Sequence, residues 1–192
     1  MKKVLLLLFV LSSTFTLSAQ YKLQDISVGY FTPFFVEFGG KVSTSIHLKN
    51  WELVSQTGES RYRTLYLSPQ IGYFVKPKNH YNYLLNFELG YRTQKDDKKW
   101  YGAATFGLGY LLTSHIVSGS VHLGTGEMTK ERENVSSILP TLGYEFGKAP
   151  TDKLGYYFKF FVGRKMAFGA EDSGFYGAEL GLKFNLQNTS NE

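Results

Sequence analysis

The chain of 192 residues has no cysteine. A disulfide framework, a thiolate metal site and a lipid anchor on an N-terminal cysteine are all excluded. Beyond residue 19 no stretch approaches the roughly 18 uninterrupted apolar residues of a membrane-spanning helix. Charge of either sign is also modest: the net charge is +5, and two of the lysines are Lys2 and Lys3, in a segment expected to be removed. The remaining +3, by subtraction of those two lysines, is too mild to point to nucleic acid.

Met1 to Ala19 reads as a cleaved secretory signal, with Lys2 and Lys3 as its charged start and Val4 to Val10 as its apolar core. Leu17-Ser18-Ala19 then forms a small-residue cleavage site. The mature chain, 20–192, is about 170 residues, enough for one domain. An exported chain with neither helical anchor nor lipid anchor is either soluble or an outer-membrane protein. The aromatic fraction of 17%, with 14 Tyr and 16 Phe, and the 20 Gly favour the second. A membrane barrel needs interfacial aromatics and closely packed strands.

The pattern agrees. From Tyr176 to Leu186 every even position is apolar, while the odd positions include Gly177, Glu179, Gly181, Lys183 and Asn185. Period two with one uncharged face describes a strand between hydrocarbon and a polar interior. A sheet with one face in lipid must close on itself, because an open edge leaves amides unsatisfied. Eight such segments are expected, near 24–32, 40–53, 61–75, 80–93, 99–121, 128–147, 154–167 and 174–186. The fold class is therefore all-β, an eight-stranded antiparallel up-and-down transmembrane β-barrel. Thr32 to Gly40 interrupts the alternation with Pro33 and a double glycine and is expected to be the first outer loop. The second strand loses phase near Trp51 and Leu53, which suggests a bulge. Pro69 and Pro140 fall inside strands, where each removes a ladder donor, so local bulges are expected there too.

Loop lengths orient the barrel. The connections after strands two, four and six are short, as periplasmic turns are, whereas the excursion Thr113 to Asn134 after strand five is the longest. It is expected to be an external protrusion. The outward aromatics sort into two rings by this orientation: Tyr91, Trp100, Tyr144, Tyr156 and Phe184 near the inner ends, and Tyr30, Tyr73, Tyr83, Tyr110, Phe168 and Tyr176 near the outer ends.

With the leader, the eight alternating segments, the girdles and the closing Gly181-Leu182-Lys183-Phe184-Asn185-Leu186, the chain resembles the small eight-stranded outer-membrane barrels of the OmpX and OmpA-barrel type. The resemblance implies a monomer in the outer membrane of a Gram-negative bacterium, inserted by the assembly machinery and surrounded by lipid and lipopolysaccharide. It also implies a terminal aromatic as assembly signal, whereas here Gln187 to Glu192 follows Leu186.

The inward charges Lys41, Glu88, Arg92, Glu145, Lys159, Lys165, Glu179 and Lys183 could line a pore or do chemistry. Eight strands leave room only for packed side chains, so a salt-bridge network that plugs the barrel is the preferred reading. Arg164 interrupts the outward apolar face of strand seven, and Lys76, Lys78, Lys130 and Arg132 lie beyond the same interface. They are candidate contacts for lipopolysaccharide phosphates, the plainer alternative being snorkelling and solvation. His115, Ser118, Ser120, His122 and Glu127 invite a hydrolase reading, because some outer-membrane barrels use histidine and serine to deacylate lipid. Their order there is His-x-Ser, whereas this chain has Ser-x-His. No catalytic, cofactor or metal site is therefore assigned, and His47 and His80 lack partners at ligand spacing. The expected function is structural or interactive: an inert barrel displaying an outer hairpin that binds or shields. The alternatives are a lipid-A-modifying enzyme and a soluble, lipocalin-like secreted barrel with its faces reversed.

Overall fold

The computed structural model describes residues 23–54, 60–77, 79–95, 99–121, 128–149, 153–169 and 171–186, with the side chains of 118–121 and 128–130 left aside. Eight strands form one closed antiparallel ring: β1 (Leu23–Pro33), β2 (Phe38–Val54), β3 (Ser60–Lys76), β4 (His80–Lys95), β5 (Trp100–Val121), β6 (Met128–Lys148), β7 (Leu154–Ala167) and β8 (Ser173–Asn185). Each strand pairs with its neighbour in sequence, and β1 closes on β8 from Asp25↔Asn185 to Pro33↔Gly177. No edge is left in the wall, which is what a sheet in hydrocarbon requires.

The alternation anticipated from the sequence appears as burial. In β4, Tyr83, Leu85, Phe87, Leu89 and Tyr91 are exposed on the outside, while Asn82, Leu84, Asn86, Glu88 and Arg92 are buried inside. The same contrast runs around the ring, so the outer surface is a continuous belt of exposed apolar side chains around a polar, filled interior. A soluble protein has no such belt. A lipocalin-like barrel with its faces exchanged is inconsistent with this burial.

The interior is layered. Toward the end that holds the β1–β2 turn, Phe31, Phe74, Leu84, Leu111, Leu139, Phe161 and Phe175 pack as one apolar cluster. Phe31 stacks on Phe161 at 5.0 Å between ring centroids and meets Phe74 edge-on at 5.3 Å. Below it lies a charged belt, and toward the opposite end Tyr66, Tyr101, Ala103 and Tyr157 form a second cluster. Glycine makes room for the largest of these rings: a Cβ on Gly181 would lie 2.6 Å from the Tyr157 ring.

Three local expectations need correction. First, Thr32 to Gly40 is mostly strand. Pro33 pairs with Gly177, and Phe38, Gly39 and Gly40 pair with Val75, Phe74 and Tyr73. Only 34–37 turn, with Phe34 and Phe35 in the left-handed region at φ 51° and 56°. That conformation is strained for bulky residues. It is held by the rings of Phe34 against Phe175 and Tyr176, at 5.6 and 5.3 Å, and by the Phe34 amide donating to the Tyr176 carbonyl at 2.6 Å.

Second, the prolines cause no register shift. Pro69 stays in step with Phe87, and Pro140 with Leu108. What is lost is pairing on the other side: the β2–β3 ladder skips from Ser43↔Gln70 to Ile46↔Leu67, and the β6–β7 ladder from Ile138↔Met166 to Thr141↔Gly163. The missing amide points into each gap. The Pro140 carbonyl leans toward Gly163, where a Cβ would collide with it. Third, the bulge in β2 lies between His47 and Lys49. Lys49 is therefore turned outward, opposite Leu65, and Trp51 and Leu53 follow it onto the outer face.

Candidate functional site

The parity of the strands drives charged residues into the barrel, and their burial forces them to pair. Lys41 contacts Glu179 at 2.5 Å, Lys183 contacts Glu145 at 2.5 Å, and Lys159 is bound to Glu88. Arg92 faces Asp25 at 3.8 Å, and its guanidinium lies over the rings of Tyr66 and Tyr101, 5.1 and 4.6 Å from their centroids. All eight groups are buried.

Neutral polar side chains fill the remaining valences. Gln70 accepts from Lys41 at 2.9 Å and from Asn86 at 3.1 Å. The Tyr101 hydroxyl donates to Glu145 at 2.6 Å, and the Tyr157 hydroxyl donates to Glu179. Ser45 donates to Asp25 at 2.8 Å. A cavity of about 10 Å³ remains among these groups, about the space of a single water probe. The belt thus holds four cations against four anions, and nothing in it is poised as an isolated nucleophile or base.

Seven of the eight inward charges named from the sequence fall in this belt. Lys165 does not: it lies at the barrel mouth beside the β1–β2 turn, where it donates to the Thr113 hydroxyl at 3.1 Å. The eighth member is Asp25, which the sequence reading passed over at the start of the least regular strand. A signal was available. The named set held five cations and three acids, and Asp25 has the same parity as the inward Ser27. A sealed interior leaves little room for an unmatched charge.

Lys165 belongs to a second cluster above the apolar cap. Glu37, in the β1–β2 turn, accepts from His80 at 2.8 Å and from Asn82 at 3.4 Å. Thr113 in turn donates to Asn82 at 2.7 Å. Glu37, His80, Asn82 and Lys165, with Phe34, Phe74 and Phe175, line an open cleft of about 200 Å³ at the barrel mouth. His115 meets His80 edge-on, 5.4 Å between ring centroids. Desolvation, and then the neighbouring Lys165 and His80, hold His115 below the ordinary imidazole range. Glu37 was not anticipated, because a residue placed in a loop has no parity from which to read its direction.

Above the mouth β5 and β6 continue alone. They pair from Trp100↔Lys148 to Val121↔Met128, whereas β4 reaches only His115 and β7 only Ser137. Residues 117–121 and 128–135 thus form a two-stranded ribbon beyond the wall.

The candidate lipopolysaccharide contacts are dispersed. Arg164 is on the outer face but is paired with Asp172 at 3.1 Å. Arg132 lies over the Tyr81 ring at 4.5 Å, and Lys76 is exposed. Lys78 and the side chain of Lys130 lie outside the described residues, as do His122, Glu127 and the side chains of Ser118 and Ser120.

No family model matches the chain, and no curated protein sequence does. Solved structures match it over most of its length. The outer membrane enzyme PagL is 15% identical, covering 83% of this chain and 97% of its own, with a TM-score of 0.51. The N-terminal β-barrel domain of Pseudomonas aeruginosa OprF is 13% identical, covering 86% and 100%, with a TM-score of 0.50. Neisserial surface protein A is 10% identical, covering 86% and 96%, with a TM-score of 0.57. One of these is an enzyme, so the likeness extends to architecture and not to activity. In fold, the chain is an eight-stranded antiparallel up-and-down β-barrel, similar to these small outer-membrane barrels.

Proposed function

We propose that the protein is a non-catalytic barrel of the outer membrane, exported by its N-terminal leader and monomeric, whose filled interior is a scaffold and whose β5–β6 ribbon is the working surface. The observation that carries this reading is the pairing of β5 and β6 with each other well past the last residues paired to β4 and β7. Such a ribbon presents backbone and side chains on both edges to whatever approaches the cell. A conducting or enzymatic interior finds no support in a belt that is balanced in charge and nearly without free volume. Lipopolysaccharide contact is part of the proposal: Lys76 and Arg132 stand at the level of the ribbon's base, while Arg164 would have to exchange Asp172 for a phosphate.

The absence of native cysteine makes the topology testable. Glu133 is exposed in the ribbon and Lys153 is exposed in a short turn at the other end. On intact cells, Glu133→Cys should react with an impermeant maleimide and Lys153→Cys should not react until the envelope is opened. Labelling in the opposite order would place the ribbon in the periplasm and end the reading.

A further inference from the structure

In the charged belt Lys41, Arg92, Lys159 and Lys183 each face an acid. Lys165, at the barrel mouth, shares their inward parity and is half-buried, yet among the described residues it makes no ion pair. Its ammonium donates to the Thr113 hydroxyl at 3.1 Å, and that hydroxyl gives its own proton to Asn82. An ammonium has three donors, so two are left for an acceptor that the described residues do not supply. Glu37 stands in the same cleft, but its two carboxylate oxygens accept from His80 at 2.8 Å and from Asn82 at 3.4 Å. A cation drawn partly out of water without a counter-ion is unfavourable, and an anion in the cleft would relieve it.

The rest of the cleft selects what that anion carries. Phe74, Leu111 and Phe175, all buried, form an apolar floor, and Phe34 adds a further ring to the lining. Ser173, the cross-strand partner of Lys165, lines the cleft beside it and brings a hydroxyl. Phe34 and Glu37 both come from the turn 34–37, whose Phe34 and Phe35 are in the left-handed region. Strained backbone of this kind collects at ligand clamps. The volume is about 200 Å³. A cavity of about 150 Å³ accommodates benzene, so one ring with a short charged substituent matches the space.

We infer that this cleft binds a small monocarboxylate with an apolar body the size of one ring, its carboxylate on Lys165 and Ser173 and its body against Phe34, Phe74 and Phe175. A carboxylate accepting from an ammonium makes a charge-assisted hydrogen bond, and the ring gains edge-to-face contacts with the phenylalanines. One negative charge extends to Lys165 the pairing that every cation of the belt already has. A doubly charged phosphate would set its second charge against Glu37. The ammonium of a zwitterion would find both Glu37 oxygens already engaged. The inference rests on the geometry of the mouth and not on the β5–β6 ribbon.

The protein is folded into phosphatidylcholine nanodiscs, which leave both mouths of the barrel open to solvent, and equilibrium dialysis measures labelled phenylacetate bound above empty discs. A hydrogen bond to a charged group is worth roughly 10- to 100-fold in affinity. Phenylacetamide, of the same shape but uncharged, should therefore bind about tenfold more weakly or worse, and acetate, which lacks the ring, should not bind measurably. Lys165→Met should bring phenylacetate down to the level of the amide while leaving the amide's own affinity unchanged. Phe34→Ala should weaken both ligands, and Lys153→Gln, at the opposite end, should weaken neither. The gel-mobility shift on boiling shows that each variant is folded. Equal affinity of the unaltered protein for acid and amide would overturn the site without recourse to any variant. So would full retention of phenylacetate by Lys165→Met, or an equal loss with Lys153→Gln. Tighter binding of phenyl phosphate than of phenylacetate would overturn the assignment to a carboxylate.

Discussion

At the scale of single residues, the interior is decided by pairing and not by the charge of any one group. Lys159 and Glu88 are both buried and bound to each other, with Asn86 donating to Glu88 at 3.2 Å. Taking one partner away strands the other in a medium that solvates it poorly, at a cost of about 3–5 kcal/mol. Glu88→Gln or Lys159→Met should each lower the urea midpoint for unfolding in lipid vesicles by a corresponding amount. Replacing both at once, as Glu88→Leu with Lys159→Met, should recover most of that loss, since an apolar pair of similar volume is often neutral. If the double variant is as unstable as the sum of the singles, the belt does more than fill space. This belt was partly legible beforehand. Every inward charge with clear strand parity was readable, whereas Asp25 at an irregular strand start and Glu37 in a strained turn were not. Contact across the barrel is invisible to periodicity: nothing in the spacing of Lys159 and Glu88, 71 residues apart, announces their pairing.

At the scale of strands, legibility follows from how completely one face is committed to lipid. β4 and β8 keep their alternation throughout, β7 keeps it up to Arg164, and the expected bounds of all three lie within two residues of the observed ones. β2 changes phase past its bulge, because one extra residue turns every later side chain over, so Lys49, which the alternation before the bulge would place inside, lies on the outer face. The prolines misled in the other direction. A proline removes one donor toward one neighbour, and the partner strand on the other side keeps the register, as Leu108 does for Pro140. The apolar cap was also underestimated. Phe31, Leu84, Leu111, Leu139 and Phe175 occupy inward positions, and a pattern that expects polar residues inside gives no reason to look for a dry layer there. The ribbon, by contrast, should be separable from the wall. Joining His115 to Glu133, which are cross-strand partners, through a two-residue Asn-Gly turn suited to a hairpin deletes the ribbon without touching a strand of the ring. The shortened protein should still fold into vesicles and still shift its gel mobility on boiling, while any binding carried by the ribbon should vanish. Failure to fold would make the ribbon part of the barrel's nucleus.

At the scale of the whole molecule, the barrel is a container whose two surfaces obey opposite rules: packing constrains the inside, and only polarity constrains the outside. Leu182 tests this division, because it is exposed on the outer face of β8, opposite Val28 and Tyr156, while the adjacent Gly181 lies against the Tyr157 ring inside. Lipid tails yield to a larger apolar group, so Leu182→Phe should leave the folded fraction in vesicles unchanged. An arginine at mid-depth on a barrel's lipid face costs about 2–4 kcal/mol, so Leu182→Arg should lower that fraction sharply. The inward neighbour has no such latitude: a side chain at Gly181 meets a ring that β8, β7 and β1 hold in place, and overfilling a packed core costs about 1–3 kcal/mol. Gly181→Val should therefore destabilise the protein although it adds only apolar atoms. The order expected for the folded fraction is Leu182→Phe equal to wild type, with Gly181→Val and Leu182→Arg both reduced. A soluble barrel with its faces exchanged would put Leu182 in the core, where Leu182→Phe would also be reduced, because a packed core rejects volume.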